Sequence, residues 1–329
     1  MSIISYCEAI REGIAQEMLC DDNVVVIGED IGLYGGKFGV TKGLKERFGD
    51  RRIIETPISE TAFTSAAVGA SLLGLRPVVE IMFGDFITLT ADPIINHAAK
   101  YHFMSAGAVK CPLVLRTSFG SGTGAAAQHS QSLESMYLNT PGIKVVAPSD
   151  PYSAKGLIRS AIRDDTPVMF FEHKLLYSIE EEVPEDDYFV PIGKAEIAIE
   201  GDSISLISYS YATKLCIKAA ELLKREGINA EVIDLRSLKP LDNDTIIASC
   251  EKTKRALIVH EAPVFAGFGA QIAAVINESS IASKMIKPPI RLGGLEIPVP
   301  FAGHLEKAIT PNVEKIIQEV KKIMDIEAK

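Results

Sequence analysis

The chain has 329 residues and a formal net charge of −9, with 47% hydrophobic and 23% charged residues. That is length for about two domains with substantial cores, and the excess of acid excludes the basic stripe that a nucleic-acid partner requires. The five cysteines, Cys7, Cys20, Cys111, Cys216 and Cys250, are scattered and lack any C-x-x-C pairing, which fits reduced thiols in a cytoplasm better than a disulfide frame or a zinc site.

The first residues, MSIISYCEAIREGIAQEM, place apolar side chains at helical spacing broken by Glu8, Arg11, Glu12 and Glu17. A secretory leader would carry an unbroken apolar run instead. The strand-like stretch NVVVIG (23–28) follows. The uncharged segment from Thr61 to Leu75 is rich in Ala, Gly and Ser and too short to span a bilayer, so it reads as a buried helix and no membrane partner is expected. Further strands are expected at RPVVEIMF (76–83), PLVLRT (112–117), IKVVAP (143–148) and PVMFF (167–171), with helices over 92–104 and 151–165 between them. Continuous apolar strands alternating with helices imply a parallel sheet covered on both faces.

The acidic, Pro-punctuated stretch SIEEEVPEDDYFVP (178–191) then has the composition of a solvated linker. After it the alternation resumes, with strands at 203–209, 230–235, 255–261 and 288–294 and helices over 212–227 and about 311–325. Gly227 stands where a helix C-terminus favours glycine. The fold class is α/β, with domains over 1–177 and 195–329 and a linker over 178–194.

Glu60 closes ETPISE (55–60) and opens the small-residue segment. A capping box fails on spacing, since Ser59 lies three residues after Thr56 and Ala62 three after Ser59. Two readings remain: an acid that merely favours the positive end of a helix dipole, or an acid kept out of water for proton exchange with a ring nitrogen. FGSGTGA (119–125) formally satisfies G-x-G-x-x-A after a strand, which supplies a rival reading as a dinucleotide-dependent oxidoreductase. His129, just beyond this loop, is a candidate acid or base near neutral pH. Phe86 in FGDF (83–86) is core unless something flat is sandwiched against it. His97 and His102 lie five apart, off the spacing of zinc ligands on one helix face. His260 and Glu261 end a strand with no further pattern, and His173 and His304 carry none.

In this order and at these spacings, IGED (27–30), GGKFGVTKGLKERFG (35–49), ETPISE (55–60), FGDF (83–86), AAQHSQSLE (126–134), PGIKVVAPSDPYSAKGLI (141–158), FFEHKLLYS (170–178) and PVPFAGHLE (298–306) span nearly the whole chain. The set resembles the β subunit of the thiamine-diphosphate-dependent component of 2-oxo acid dehydrogenase complexes, and AAAQHSQ, PYSAKGLI and EHKLLYS look most like the acetoin branch. The resemblance implies a pyrimidine-binding α/β domain followed by a transketolase C-terminal-type domain. It implies that Glu60 bonds the cofactor's pyrimidine nitrogen and favours its imino tautomer, that Phe86, Ile58 and Glu29 line the same pocket, and that His129 faces the intermediate and the incoming lipoyl group. It also implies a potassium site, built mostly from backbone carbonyls, at Leu113, Val114, Ala161, Asp164 and Thr166, although Thr166 stands where several relatives have Asn.

The chain has neither a G-D-G nor an Asn-Asn motif, with which thiamine enzymes hold magnesium and the diphosphate. The resemblance therefore implies that an α subunit supplies that half of the site, in a heterotetramer of two α and two β chains docked on a lipoyl acyltransferase core. A subunit that only assembles the complex is the non-catalytic alternative.

Overall fold

In the computed structural model, which describes residues 1–326, two parallel sheets are covered by helices. The first sheet has the strand order Ser237–Lys239, Lys144–Val146, Val168–His173, Val114–Phe119, Arg76–Ile81, Val24–Gly28, Ile53–Glu55. Every neighbouring pair is parallel except the first, in which Ser237–Lys239 runs antiparallel to Lys144–Val146. The edge strand Ser237–Lys239 comes from the second half of the chain, so the two domains share a sheet. The second sheet is ordered Ile290–Gly294, Ala256–Pro263, Ile204–Ser208, Ala230–Asp234, Glu196–Ile199, with only the last strand antiparallel.

The expected strands are present with ends shifted by a residue or two; in all but the edge strand Ile290–Gly294 both faces are largely buried, and a run rich in Val, Ile and Leu satisfies both at once. One apolar core continues from Val145, Met169 and Phe171 of the first sheet to Leu235, Leu238 and Ile246 of the second domain. Two other cores fill the far faces. Helix Tyr6–Cys20 opens on a capping box between Ser5 and Glu8. It packs so closely on helix Pro151–Arg163 that a Cβ on Gly13 would meet Ile158 at 2.5 Å. Glu17 of the first helix pairs with Arg159 (2.8 Å) and Arg163 (2.6 Å) of the second.

Two expectations are corrected. Residues 178–191 are not a solvated linker along their length. Glu180–Val183 forms a strand with Ser2–Ser5, and Tyr188 and Val190 accept hydrogen bonds from Arg159 (2.9 Å) and Ser160 (2.7 Å). Phe189 lies under the guanidinium groups of Arg159 and Arg163. Most of the acids do face solvent; Val183, Tyr188 and Val190 between them are what ties the stretch down, to partners far off in sequence. Helix Glu60–Leu72, in turn, is buried on one face only. Phe63, Thr64, Ala67, Val68 and Ser71 pack inward, while Thr61, Ala62, Ser65, Ala66 and Gly69 face outward. Among the described residues no helix is long and apolar enough to cross a membrane.

The second domain holds a buried imidazole. Among the described residues neither ring nitrogen of His260 has a hydrogen-bond partner of good geometry, and a Cβ on Gly267, Gly269 or Gly293 would strike the ring at 2.7, 2.5 or 2.9 Å. Burial pushes its pKa down to about 4. The folded value lies below the unfolded value near 6.5, so the unfolded chain binds the extra proton between the two. The stability is whole above about pH 6.5 and is lost as pH falls toward 4, by roughly 3 kcal/mol in all. Urea midpoints measured from pH 7 to 4.5 are expected to fall less steeply for His260→Gln than for the parent chain; equal slopes would refute this.

Candidate active site

The carboxyl ends of the first sheet's strands converge on one side, where open parallel sheets place their ligands. Glu29 follows strand Val24–Gly28, and Glu60 opens helix Glu60–Leu72; both are buried, at 5% and 6% exposure. Ser59, at the N-cap, makes no side-chain cap, in keeping with the failed spacing. Burial raises the pKa of Glu29, and the charge of Glu60 is the next largest cause, followed by Asp30 and Glu80. Every charge that Glu29 is shown to feel is therefore acidic. Two buried carboxylates without a base fit a ligand that brings a proton-sharing nitrogen.

Thr61 donates its hydroxyl to the Leu89 carbonyl (2.7 Å), tying the start of this helix to the 3₁₀ segment Gly84–Thr90 that carries Phe86. Phe86 meets the His129 ring edge-on at 5.4 Å, and Phe83 does so at 4.6 Å. The aromatic row continues through Phe38 to Tyr177. Ile58 lies on the loop before the helix and is 80% exposed, so the described residues leave its side chain largely uncovered. The structure thus brings Glu29 to Glu60 and Phe86 to His129, with one hydrogen bond linking the two groups.

The five residues of the potassium expectation lie at the other end of the sheet, around the start of strand Val114–Phe119 and the end of helix Pro151–Arg163. Leu113 accepts from the Val168 amide (2.8 Å), Ala161 from the Asp164 amide (3.2 Å), and Asp164 Oδ1 from the Thr166 amide (2.8 Å). Arg76 donates to the Asp164 carbonyl (3.2 Å) and Lys144 pairs with its carboxylate. Two fixed cations already brace this corner.

The Gly-rich loop is not a dinucleotide cradle. No helix follows it directly; residues 120–134 are loop and turn. Its amides are already taken: Ser121 donates to Glu261 (2.6 Å), and Gly122 and Gly124 donate to Glu306 (2.6 and 3.3 Å). Both carboxylates come from the second domain and stand where a pyrophosphate would sit.

Sequence reasoning passed over several residues around this loop. His173 Nε2 lies 2.8 Å from the Glu261 carboxylate. Burial works against the charge of Glu261, but the imidazole and the Ser121 amide outweigh it and hold the carboxyl below its usual range. Lys174 is buried and donates to the His129 carbonyl; burial lowers its pKa, while the charges of Asp85, Glu261 and Glu306 work the other way. His173, Lys174 and Glu306 stand within the landmark stretches FFEHKLLYS and PVPFAGHLE, but no spacing could join them to partners 45 or more residues away.

Residues 2–180 match the family described as "Transketolase, pyrimidine binding domain", and residues 193–316 match "Transketolase, C-terminal domain". The chain is 45% identical over 321 residues to the pyruvate dehydrogenase E1 component subunit beta of Rickettsia felis, covering 97% of this chain and 98% of that one. It is 42% identical over 327 residues to the 2-oxoisovalerate dehydrogenase subunit beta of Bacillus subtilis (99% and 100% covered). It is also 42% identical over 328 residues to that organism's acetoin:2,6-dichlorophenolindophenol oxidoreductase subunit beta (96% and 95%). A split-gene transketolase, described as an inactive beta4 tetramer, superposes with a TM-score of 0.81 at 20% identity over 99% of this chain and all of that one, a likeness of fold.

Proposed function

This chain belongs to the family of E1-component β subunits of pyruvate, 2-oxoisovalerate and acetoin dehydrogenases, and on that footing we propose that it supplies the pyrimidine-binding half of a thiamine diphosphate site. The observation that carries this reading is the buried pair Glu29 and Glu60, of which Glu29 is acted on by acidic charges, with no ion-pair partner for either among the described residues. Glu60 holds a proton at the pyrimidine nitrogen, and Glu29, carrying a raised pKa, limits how much negative charge the pocket bears. Phe86 and Ile58 flank the ring. When bound, thiamine diphosphate supplies the electron sink for breaking the carbon–carbon bond beside a carbonyl. His129, turned edge-on to Phe83 and Phe86, guides or protonates during transfer of the acyl unit to lipoyl.

The diphosphate and its magnesium belong to an α subunit in this reading. Among the described residues the Gly-rich loop is the cradle expected for phosphates, and Glu261 and Glu306 fill it. The outward face of helix Glu60–Leu72, with Ala62, Ser65, Ala66 and Gly69, suits close approach by a second chain. The complex would hold two α and two β chains, dock on a lipoyl acyltransferase core through the second domain, and work in a cytoplasm. The substrate would be acetoin or a 2-oxo acid, with acetoin favoured by the stretches AAAQHSQ, PYSAKGLI and EHKLLYS.

Calorimetric titration of thiamine diphosphate with magnesium tests the shared site. Binding is expected in a mixture with the α partner and not to this chain alone. Tight binding to this chain alone would refute the division of the site, and no binding to a properly assembled mixture would refute the thiamine assignment. The same titrations and melts in potassium and in choline salts test a structural potassium ion at the Ala161–Thr166 corner; identical melts would remove it.

A further inference from the structure

The segment 120–132 carries His129 but contains no helix or strand, so its shape comes from what holds it. Gly120, Gly122, Gly124 and Ala126 all have positive φ, a backbone that needs fixing from outside. Four charged side chains do this. Glu306 accepts from the Gly122 and Gly124 amides (2.6 and 3.3 Å), and Glu261 accepts from the Ser121 amide (2.6 Å) and the Ser132 hydroxyl (3.3 Å). Asp85 accepts from the backbone and side-chain amides of Gln131 (3.3 and 2.7 Å). Lys174 donates to the carbonyl of His129 itself.

The lysine is also the shared counter-ion, since the three charges that act on it are those of Asp85, Glu261 and Glu306. Each hold is charge-assisted, and Asp85, Lys174 and Glu306 are buried. We propose that Glu261 and Glu306 of the second domain, together with Lys174, are positioning residues that set the His129 ring against Phe83 and Phe86, so that the second domain governs the acyl-transfer step performed in the first. This rests on the reading of His129 given under Proposed function. If these carboxylates only filled the domain interface, their loss would lower the melting temperature without freeing the loop.

The test uses the full chain with Glu306→Ala, Glu306→Gln, Lys174→Met and Lys174→Arg. Hydrogen–deuterium exchange over 120–132, read by mass spectrometry on this chain without cofactor, should quicken by about tenfold or more in Glu306→Ala, as loss of a charged hydrogen bond implies. Glu306→Gln should fall between, because one oxygen still accepts, and it stays informative if the alanine variant does not fold. Lys174→Arg should resemble the parent and Lys174→Met should not. In the assembled complex, lipoyl acylation should drop by about tenfold while dye reduction, which reports the first cleavage, changes by less than about threefold. Unchanged exchange in folded variants would overturn the proposal. Quickened exchange with equal losses in both assays would leave the clamp standing and refute the role given to His129.

Discussion

Replacing Glu60 with alanine is expected to lower turnover of the assembled complex by about 10²- to 10⁴-fold, the range that a positioned acid or base contributes, and to leave the fold intact. Glu60 lies at the first position of its helix, where the backbone needs no side-chain acceptor from it, and its neighbours Phe63 and Thr64 carry the packing. On the proposed reading its removal would take the proton from the pyrimidine nitrogen and leave Glu29 as the remaining acid. Glu60→Gln should lose nearly as much, because an amide can bond the nitrogen but cannot exchange a proton with it. Calorimetry supplies a readout apart from turnover: thiamine diphosphate should bind the mutant complex more weakly. Full activity in Glu60→Ala would sink the catalytic reading and favour a subunit that only assembles the complex.

The largest loss of stability is expected at Arg116. Its guanidinium is buried between the strands of the first sheet, donating to both oxygens of Glu172 (2.7 and 2.5 Å) and pairing with Glu80. Burial pushes the pKa of Glu80 up, and the arginine's charge works against that rise. In Arg116→Met two buried carboxylates lose their counter-ion, at a cost of about 3–5 kcal/mol. That is a large share of the roughly 5–15 kcal/mol by which a domain is stable. The damage should reach the active site, because Tyr177 donates to Glu172 (2.7 Å) and stacks on Phe38 (4.7 Å), which begins the row leading through Phe83 to His129. Urea denaturation measures the first effect, and a midpoint unchanged from the parent would show that the carboxylates find other partners. Arg116→Lys should fall between, since it keeps the charge but loses the two-pronged geometry.

Most strands of both sheets, several of the helices and the resemblance to E1 β subunits were legible in the chain itself, whereas the short edge strands Ile53–Glu55, Glu196–Ile199 and Ser237–Lys239 and the helices Asn243–Thr253 and Gly269–Glu278 were not. Runs such as Val24–Gly28 and Ile204–Ser208 are buried at every position because helices cover both faces of the sheet, and the largely apolar composition this demands is written locally. Glu60 stood out for a similar reason, as an acid at the head of a charge-free helix. The tertiary structure decided everything that depends on partners far apart in sequence. It turned part of the acidic stretch 178–191 into a strand and a strap on helix Pro151–Arg163, lent Ser237–Lys239 to the first sheet, and left one face of helix Glu60–Leu72 open. It also placed Glu261 and Glu306 on a glycine loop that, by its own residues, suits a pyrophosphate equally well. Backbone amides donate to any suitably placed anion, so the loop's sequence specifies a cradle and only the fold specifies its occupant.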